Sequence, residues 1–149
     1  MAKNREIEII ARGVAVKDGQ VLICQNRKKK NIFLPGGHIE LDESAKTALA
    51  RELLEETGLK VRVGRFLGAC EHRFKYKGKV TCEVNLVFEF RLPASCPADR
   101  VPSTEEHLRF KWMALSALPK SKLEPWVLRN KLRAWLRARD ASSRWASTY

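Results

Sequence analysis

The stretch GHIELDESAKTALARELLEETGL, from Gly37 to Leu59, is the most structured text in the chain. Residues 44–57 lack Gly and Pro and are rich in Ala, Leu and Glu, a composition that favours helix. Asp42, Glu43 and Ser44 supply capping oxygen and negative charge where the helix N-terminus needs them. Gly58 stands where a left-handed C-cap ends a helix, with Leu59 as the apolar residue after it. On that helix Glu52, Glu55 and Glu56 are spaced i, i+3 and i+4, so they project from one side. Ala45 and Ala48 fall near that side and, being small, are expected to leave space before the acids. Leu49, Leu53 and Leu54 take the other side and are expected to be partly or wholly buried.

Carboxylates gathered this way repel one another, by roughly 0.2–0.5 kcal/mol per exposed helical pair. A hard divalent cation relieves that repulsion. Mg2+ binds through a few carboxylates, keeps several waters and takes its other ligands from substrate phosphates. The turn Leu34-Pro35-Gly36-Gly37 leads into the helix region, and paired glycines let backbone approach an ion or phosphate closely. A single glutamate on a helix means a solvated face. The whole group beside a Gly-Gly turn points to metal-assisted attack of water on a pyrophosphate phosphorus.

The same residues satisfy G-x5-E-x7-R-E-U-x-E-E-x-G-U in full, with U a bulky aliphatic: Gly37, Glu43, Arg51, Glu52, Leu53, Glu55, Glu56, Gly58 and Leu59. With average residue usage that coincidence is expected less than about once in 10^9 starts. The stretch resembles the signature box of the Nudix hydrolases, enzymes that cleave nucleoside diphosphates linked to another group. The resemblance implies Mg2+ as cofactor, with Mn2+ as an alternative. It implies Glu52, Glu55 and Glu56 as metal ligands, Glu52 being a further ligand or the general base, and the Gly37 carbonyl completing the shell. Arg51 and Glu43 are implied to pair and orient the helix. Some members place the base before the last strand, where this chain has Thr104-Glu105-Glu106, so Glu105 and Glu106 are alternative bases.

With 149 residues one domain is expected, with a core over about 6–139 and a frayed tail at 140–149. Such a chain buries close to 70% of its unfolded surface and needs no disulfide. Cys24, Cys70, Cys82 and Cys96 form no C-x-x-C pair, which fits reduced thiols and a cytoplasmic setting. No apolar run reaches the length of a membrane span. The formal charge is +12, from 29 Lys and Arg against 17 Asp and Glu. Half of it lies in residues 120–149, where eight basic residues face two acidic ones. Such an excess attracts polyanions, whether nucleotides, nucleic acid or an acidic membrane surface, without choosing among them; the expected partner is a nucleotide-type small molecule, with RNA as an alternative and no membrane.

Residues 6–17 and 20–27 read as strands joined at Asp18-Gly19, a hairpin signal. One or two strands are predicted over 60–74. Residues 79–91 alternate, with Val80, Cys82, Val84, Leu86, Phe88 and Phe90 on one face and Thr81, Glu83, Asn85 and Glu89 on the other, Val87 being the exception. Residues 93–103 form a Pro-rich loop, 107–114 a strand, and 124–139 a second helix with Pro125 in its first turn. The layout predicts an α/β fold, a mixed β-sheet flanked by the box helix and a C-terminal helix, as in the Nudix α/β/α sandwich.

Substrate contacts are assigned to Arg12, Arg27, His72, Tyr76, Glu83 and Asn85. Each has a plainer reading as a solvated or structural residue. Arg129, Arg133 and Arg137 recur at i, i+4 near Trp126, Trp135 and Trp145, an arrangement found on RNA-binding surfaces; the plainer reading is a wet arginine face with tryptophans packed in core or tail. By resemblance, the proline of ADP-ribose specialists is missing from 71–76, and Leu123 stands where sanitisers of oxidised guanine triphosphates carry asparagine. Tyr76 lies at the offset of a tyrosine found in diadenosine polyphosphate hydrolases. Nucleoside triphosphates or dinucleoside polyphosphates are the expected small-molecule substrates. Processing of RNA 5′ ends and ligand binding without turnover are the alternatives. The resemblance allows a homodimer.

Overall fold

A computed structural model describes residues 6–138 and 144–148. Ten strands and two helices follow one another as β1 (Ile7–Val14), β2 (Val16–Lys17), β3 (Gln20–Asn26), β4 (Ile32–Phe33), β5 (Gly36–His38), α1 (Ala45–Thr57), β6 (Arg62–Tyr76), β7 (Lys79–Arg91), β8 (Leu108–Ala114), β9 (Leu123–Glu124), α2 (Leu128–Arg137) and β10 (Trp145–Ser147), with a 3-10 turn at Leu115–Lys120.

The α/β architecture is as expected, with the strands divided between two sheets. The first has the order β10-β6-β7-β1-β5; in the second, β2-β3-β4-β9 are joined by β8 on β3. β1 runs parallel to β7 and antiparallel to β5, so the first sheet is mixed. α1 lies against β5, β1 and β6, while α2 lies against β6 and β9. Leu49 and Leu53 pack with Ala11, Phe88 and Phe90 on one side of the first sheet. Val14, Val87 and Cys70 pack with Val21, Ile23, Leu128, Leu132 and Trp135 on the other.

Because both sides of that sheet are covered, the alternation in β7 does not separate core from solvent. Asn85 and Val87 are fully buried, whereas Val80 is 41% exposed. Both faces of this strand are interior along its middle, as in sheets covered on both sides.

Two predicted boundaries move. The second helix begins at Leu128, not Glu124, because Leu123 and Glu124 pair in parallel with Ile32 and Phe33. The expected frayed tail is also corrected in part: Trp145, Ala146 and Ser147 pair in parallel with Ala69, Cys70 and Glu71. Gly68 makes room there, since a β-carbon at that position would come within 2.8 Å of the Arg144 carbonyl oxygen and of Trp135. Residues 139–143 and 149 lie outside the described residues.

Candidate active site

α1 is fixed at both ends by its own sequence. Ser44 Oγ accepts from Thr47 N–H at 3.1 Å, and Gly58, at φ 73°, returns its N–H to Leu54 O. The loop after β7 then docks on the helix: Thr104 N–H donates to Glu56 O at 2.8 Å and its hydroxyl to Glu55 O. Those carbonyls belong to the last turn, which has no internal donors for them. Ala48 is buried with Leu49 and Leu53 rather than leaving space before the acids, and Leu54 is 41% exposed. The buried stripe is thus rotated from the expected one toward Ala48.

The acids are gathered around Arg51. Its Nη2 donates to Glu43 at 2.7 Å and its Nε to the other Glu43 oxygen at 3.1 Å. Nη1 reaches Glu52 at 3.0 Å and Glu55 at 3.4 Å, while Nη2 also donates to the His38 carbonyl. This bidentate grip, aided by the Glu40 N–H, holds the Glu43 carboxyl down at about 2. The same partners, Glu43 first, raise the Arg51 guanidinium above its ordinary value. The expected pairing of Arg51 with Glu43 is present, and Arg51 also bridges Glu52 and Glu55, two of the three acids on that side of the helix.

Glu52 packs on bare backbone: a β-carbon at Gly37 would land on its carboxylate. Glu56 differs from its neighbours. Its Oε2 is buried without a hydrogen-bond partner among the described residues. Burial, and then the negative charge of Glu52, push its carboxyl up to about 8, against the opposing pull of Arg12. A buried carboxylate oxygen lacking a partner, next to two more carboxylates and a glycine that admits close approach, is a donor set suited to a hard cation. Among the described residues no three acidic, His or Cys side chains close into a cage around one point. Mg2+ does not need one, since water and substrate oxygens fill most of its shell. The chemistry of these groups suits a divalent ion, which Glu52, Glu55, Glu56 and the Gly37 backbone could hold only with water and substrate completing the shell.

Beyond Glu56 a polar chain crosses β1 and β7. Arg12 donates from Nε to Asn85 Oδ1 at 3.3 Å and from Nη1 to Leu34 O at 3.1 Å, and its guanidinium sits 5.4 Å from the Phe33 ring centroid. Burial lowers the pKa of Arg12, opposed by Glu83 and Glu56. Asn85 donates in turn to Glu83 Oε2 at 3.3 Å. His72 pairs across from Glu83, stacks on Phe74 at 5.1 Å and sets Nε2 4.0 Å from Glu124 Oε2. Burial lowers the His72 pKa. Arg12, Asn85, Glu83 and His72 are thus brought together, leading away from Glu56.

Tyr76 lies further along β6, 46% exposed, with Lys29 Nζ 4.6 Å and Lys77 Nζ 5.4 Å from its ring. Lys29 lowers its phenol pKa. Arg27 is exposed and donates to Leu108 O at 3.3 Å, toward β8 and away from the Arg12 group. Glu105 is close enough to help raise the Glu56 pKa. Glu106 is exposed next to it.

The sequence reading missed Glu124 and Thr148. Glu124 accepts from Arg129 at 3.0 Å and from Trp126 N–H at 2.8 Å. Its one sequence signal is an acid directly after a buried Leu and before Pro125. Thr148 Oγ1 lies 3.2 Å from His72 Nδ1 and accepts from Arg73 N–H, a role nothing in the tail's composition announces. Arg129 is turned inward by Glu124 and by Leu123 O, so it leaves the arginine stripe. Trp126 is 49% exposed rather than packed in the core, whereas Trp135 is buried. The side chain of Trp145 lies outside the described residues.

Comparison with known proteins yields a consistent set. A family model described as NUDIX domain matches residues 8–136. The MutT-like protein of Streptomyces ambofaciens is 33% identical over 118 residues, covering 78% of this chain and 70% of that one. The 8-oxo-dGTP diphosphatase of Buchnera aphidicola is 30% identical over 110 residues, covering 71% and 76%. Among solved structures, the MutT protein of Methanosarcina mazei superposes with a TM-score of 0.68 at 22% identity, over 91% of this chain and 97% of that one.

Proposed function

The chain belongs to the NUDIX family, and from that premise we propose that it hydrolyses a phosphoanhydride bond of a nucleoside triphosphate, using Mg2+ with Mn2+ as an alternative. The observation that carries this reading is the juxtaposition of the Glu52–Glu55–Glu56 group with the Arg12–Asn85–Glu83–His72 chain. One end suits a phosphate-bound cation and the other offers a stack and hydrogen-bonding groups for a base. The likeness to an 8-oxo-dGTP diphosphatase supports triphosphates over dinucleoside polyphosphates.

Glu52, Glu55, Glu56 and the Gly37 backbone would hold a divalent ion, which would supply positive charge to the phosphoryl oxygens and favour deprotonation of the attacking water. The chain's own residues do the rest. Arg51 holds Glu52 and Glu55 in register, and Gly37 lets the Glu52 carboxylate lie flat on the backbone. Arg12 places positive charge between Glu56 and Glu83, where a phosphate would pass. Glu52 takes the proton of the attacking water, with Glu105 the competing base. His72 and Glu83 meet the base edge, His72 with its Nδ1 held by Thr148. The thiols of Cys24, Cys70 and Cys96, outside any disulfide among the described residues, fit a reducing, cytoplasmic setting.

A panel of nucleotides, assayed with and without Mg2+ and with products identified by mass, tests the reading. A nucleoside monophosphate and pyrophosphate are the expected products. Binding without cation-dependent turnover on the whole panel would overturn it in favour of a regulator.

A further inference from the structure

We propose that the lip formed by the β3–β4 loop and the β6–β7 hairpin binds a single-stranded polynucleotide. Its residues are 27–30 and 73–79. They comprise Arg27, Lys28, Lys29, Lys30, Arg73, Lys75, Lys77 and Lys79, with no acid in either stretch, and all eight are exposed. The cations are not on loose coil. Asn26 Oδ1 accepts from the N–H groups of Lys28 and Lys29, both at 3.0 Å, and Lys30 N–H returns to Asn26 O at 2.8 Å. That turn sets Lys29 on the Tyr76 ring, with Lys77 on the same ring from the hairpin. Lys29 and Lys77, from segments far apart in sequence, thereby meet at one aromatic side chain, while Arg73 and Lys75 occupy the alternate positions of β6 and face its other side.

The register makes it more than a charged patch. His72, Phe74 and Tyr76 pair with Glu83, Thr81 and Lys79 without a bulge between them. They therefore lie on one face of β6, about 6.8 Å per two-residue step. Exposure grows outward along the row, from buried His72 through half-buried Phe74 to exposed Tyr76. Aromatic rings in line beside a basic groove form the sequence-tolerant platform on which unpaired bases stack while lysines track the backbone. An anionic membrane surface would match the charge but has no use for such a row. This lip, not the α2 arginine stripe, is the polyanion surface, because Glu124 and Leu123 O engage Arg129.

The test is fluorescence anisotropy of the full chain in EDTA, with labelled 5′-hydroxyl oligonucleotides of increasing length. Because neither cation nor turnover is involved, its outcome is independent of the proposed hydrolysis. Affinity is expected to rise with length, to favour single strand over duplex and to fall with salt. Tyr76→Ala should weaken binding about tenfold, and Tyr76→Phe should preserve it. Replacing Lys28, Lys29 and Lys30 by Gln should flatten the log–log salt slope by about 2. Arg133→Gln with Arg137→Gln should change neither. Thermal unfolding of each variant confirms that it folds. Length-independent binding displaced by tripolyphosphate would overturn the proposal, as would equal loss in the α2 variant. So would retention by phosphatidylserine vesicles without oligonucleotide binding.

Discussion

Replacing Glu56 by Gln should stabilise the cation-free protein at neutral and alkaline pH while abolishing its turnover. The carboxyl is raised from 4.5 to about 8, chiefly by burial and then by Glu52. A pKa unit is worth about 1.36 kcal/mol, so ionising Glu56 in the folded state costs up to about 5 kcal/mol. Below pH 4.5 the group is protonated in both states and contributes no difference. Between there and about pH 8 the folded chain keeps a proton that the unfolded chain has lost. Stability therefore falls as pH rises through this window and levels off above it. Gln cannot titrate, so the variant's advantage should be near zero at the acid end and grow to at most about 5 kcal/mol at the alkaline end. Urea denaturation of both proteins in EDTA across that range reads the difference, since titrating groups remote from Glu56 cancel. With Mg2+ present, only the parent should gain stability, and the variant's turnover should fall at least about a hundredfold. A stability difference that stays flat with pH, or an equal Mg2+ gain in both proteins, would refute the assignment of Glu56 as a buried, cation-seeking carboxylate.

Three further outcomes are expected. Gly37→Ala should keep the circular dichroism spectrum but lower turnover more than about tenfold, because the added methyl displaces the Glu52 carboxylate; parental rates would remove that contact from the site. Arg51→Lys should lower stability by about 1–3 kcal/mol in thermal unfolding, since one ammonium cannot reproduce a fork that grips Glu43 and reaches Glu52 and Glu55. The base is separated by comparing Glu52→Gln with Glu105→Gln: the variant that removes the acidic limb of the kcat–pH profile identifies it, and Glu52 is expected to be that residue.

The helix of the box was legible to its ends, because Ser44 and Gly58 are local signals acting on their own neighbours. The placement of Glu52, Glu55 and Glu56 on that helix was legible for the same reason, being set by i, i+3 and i+4 spacing. What escaped depends on partners distant in sequence. Leu123 and Glu124 look like the start of a helix until Ile32 and Phe33 are placed beside them. The tail looked frayed because its pairing to β6 rests on backbone bonds and a gap at Gly68, neither of which leaves a hydrophobic rhythm. Asn85 read as a surface residue because strand alternation assumes one wet side, and here helix and second sheet cover both. Arg129 read as exposed for want of Glu124.

Arg51 gives the acid cluster a resident counter-ion of its own. Loading of the proposed metal would thereby be separable from folding, unlike in small zinc domains that collapse when stripped. Chelators should silence such an enzyme without denaturing it, and resupply should restore it at once. Its output would then follow the free magnesium of its surroundings rather than a stock of permanently charged molecules.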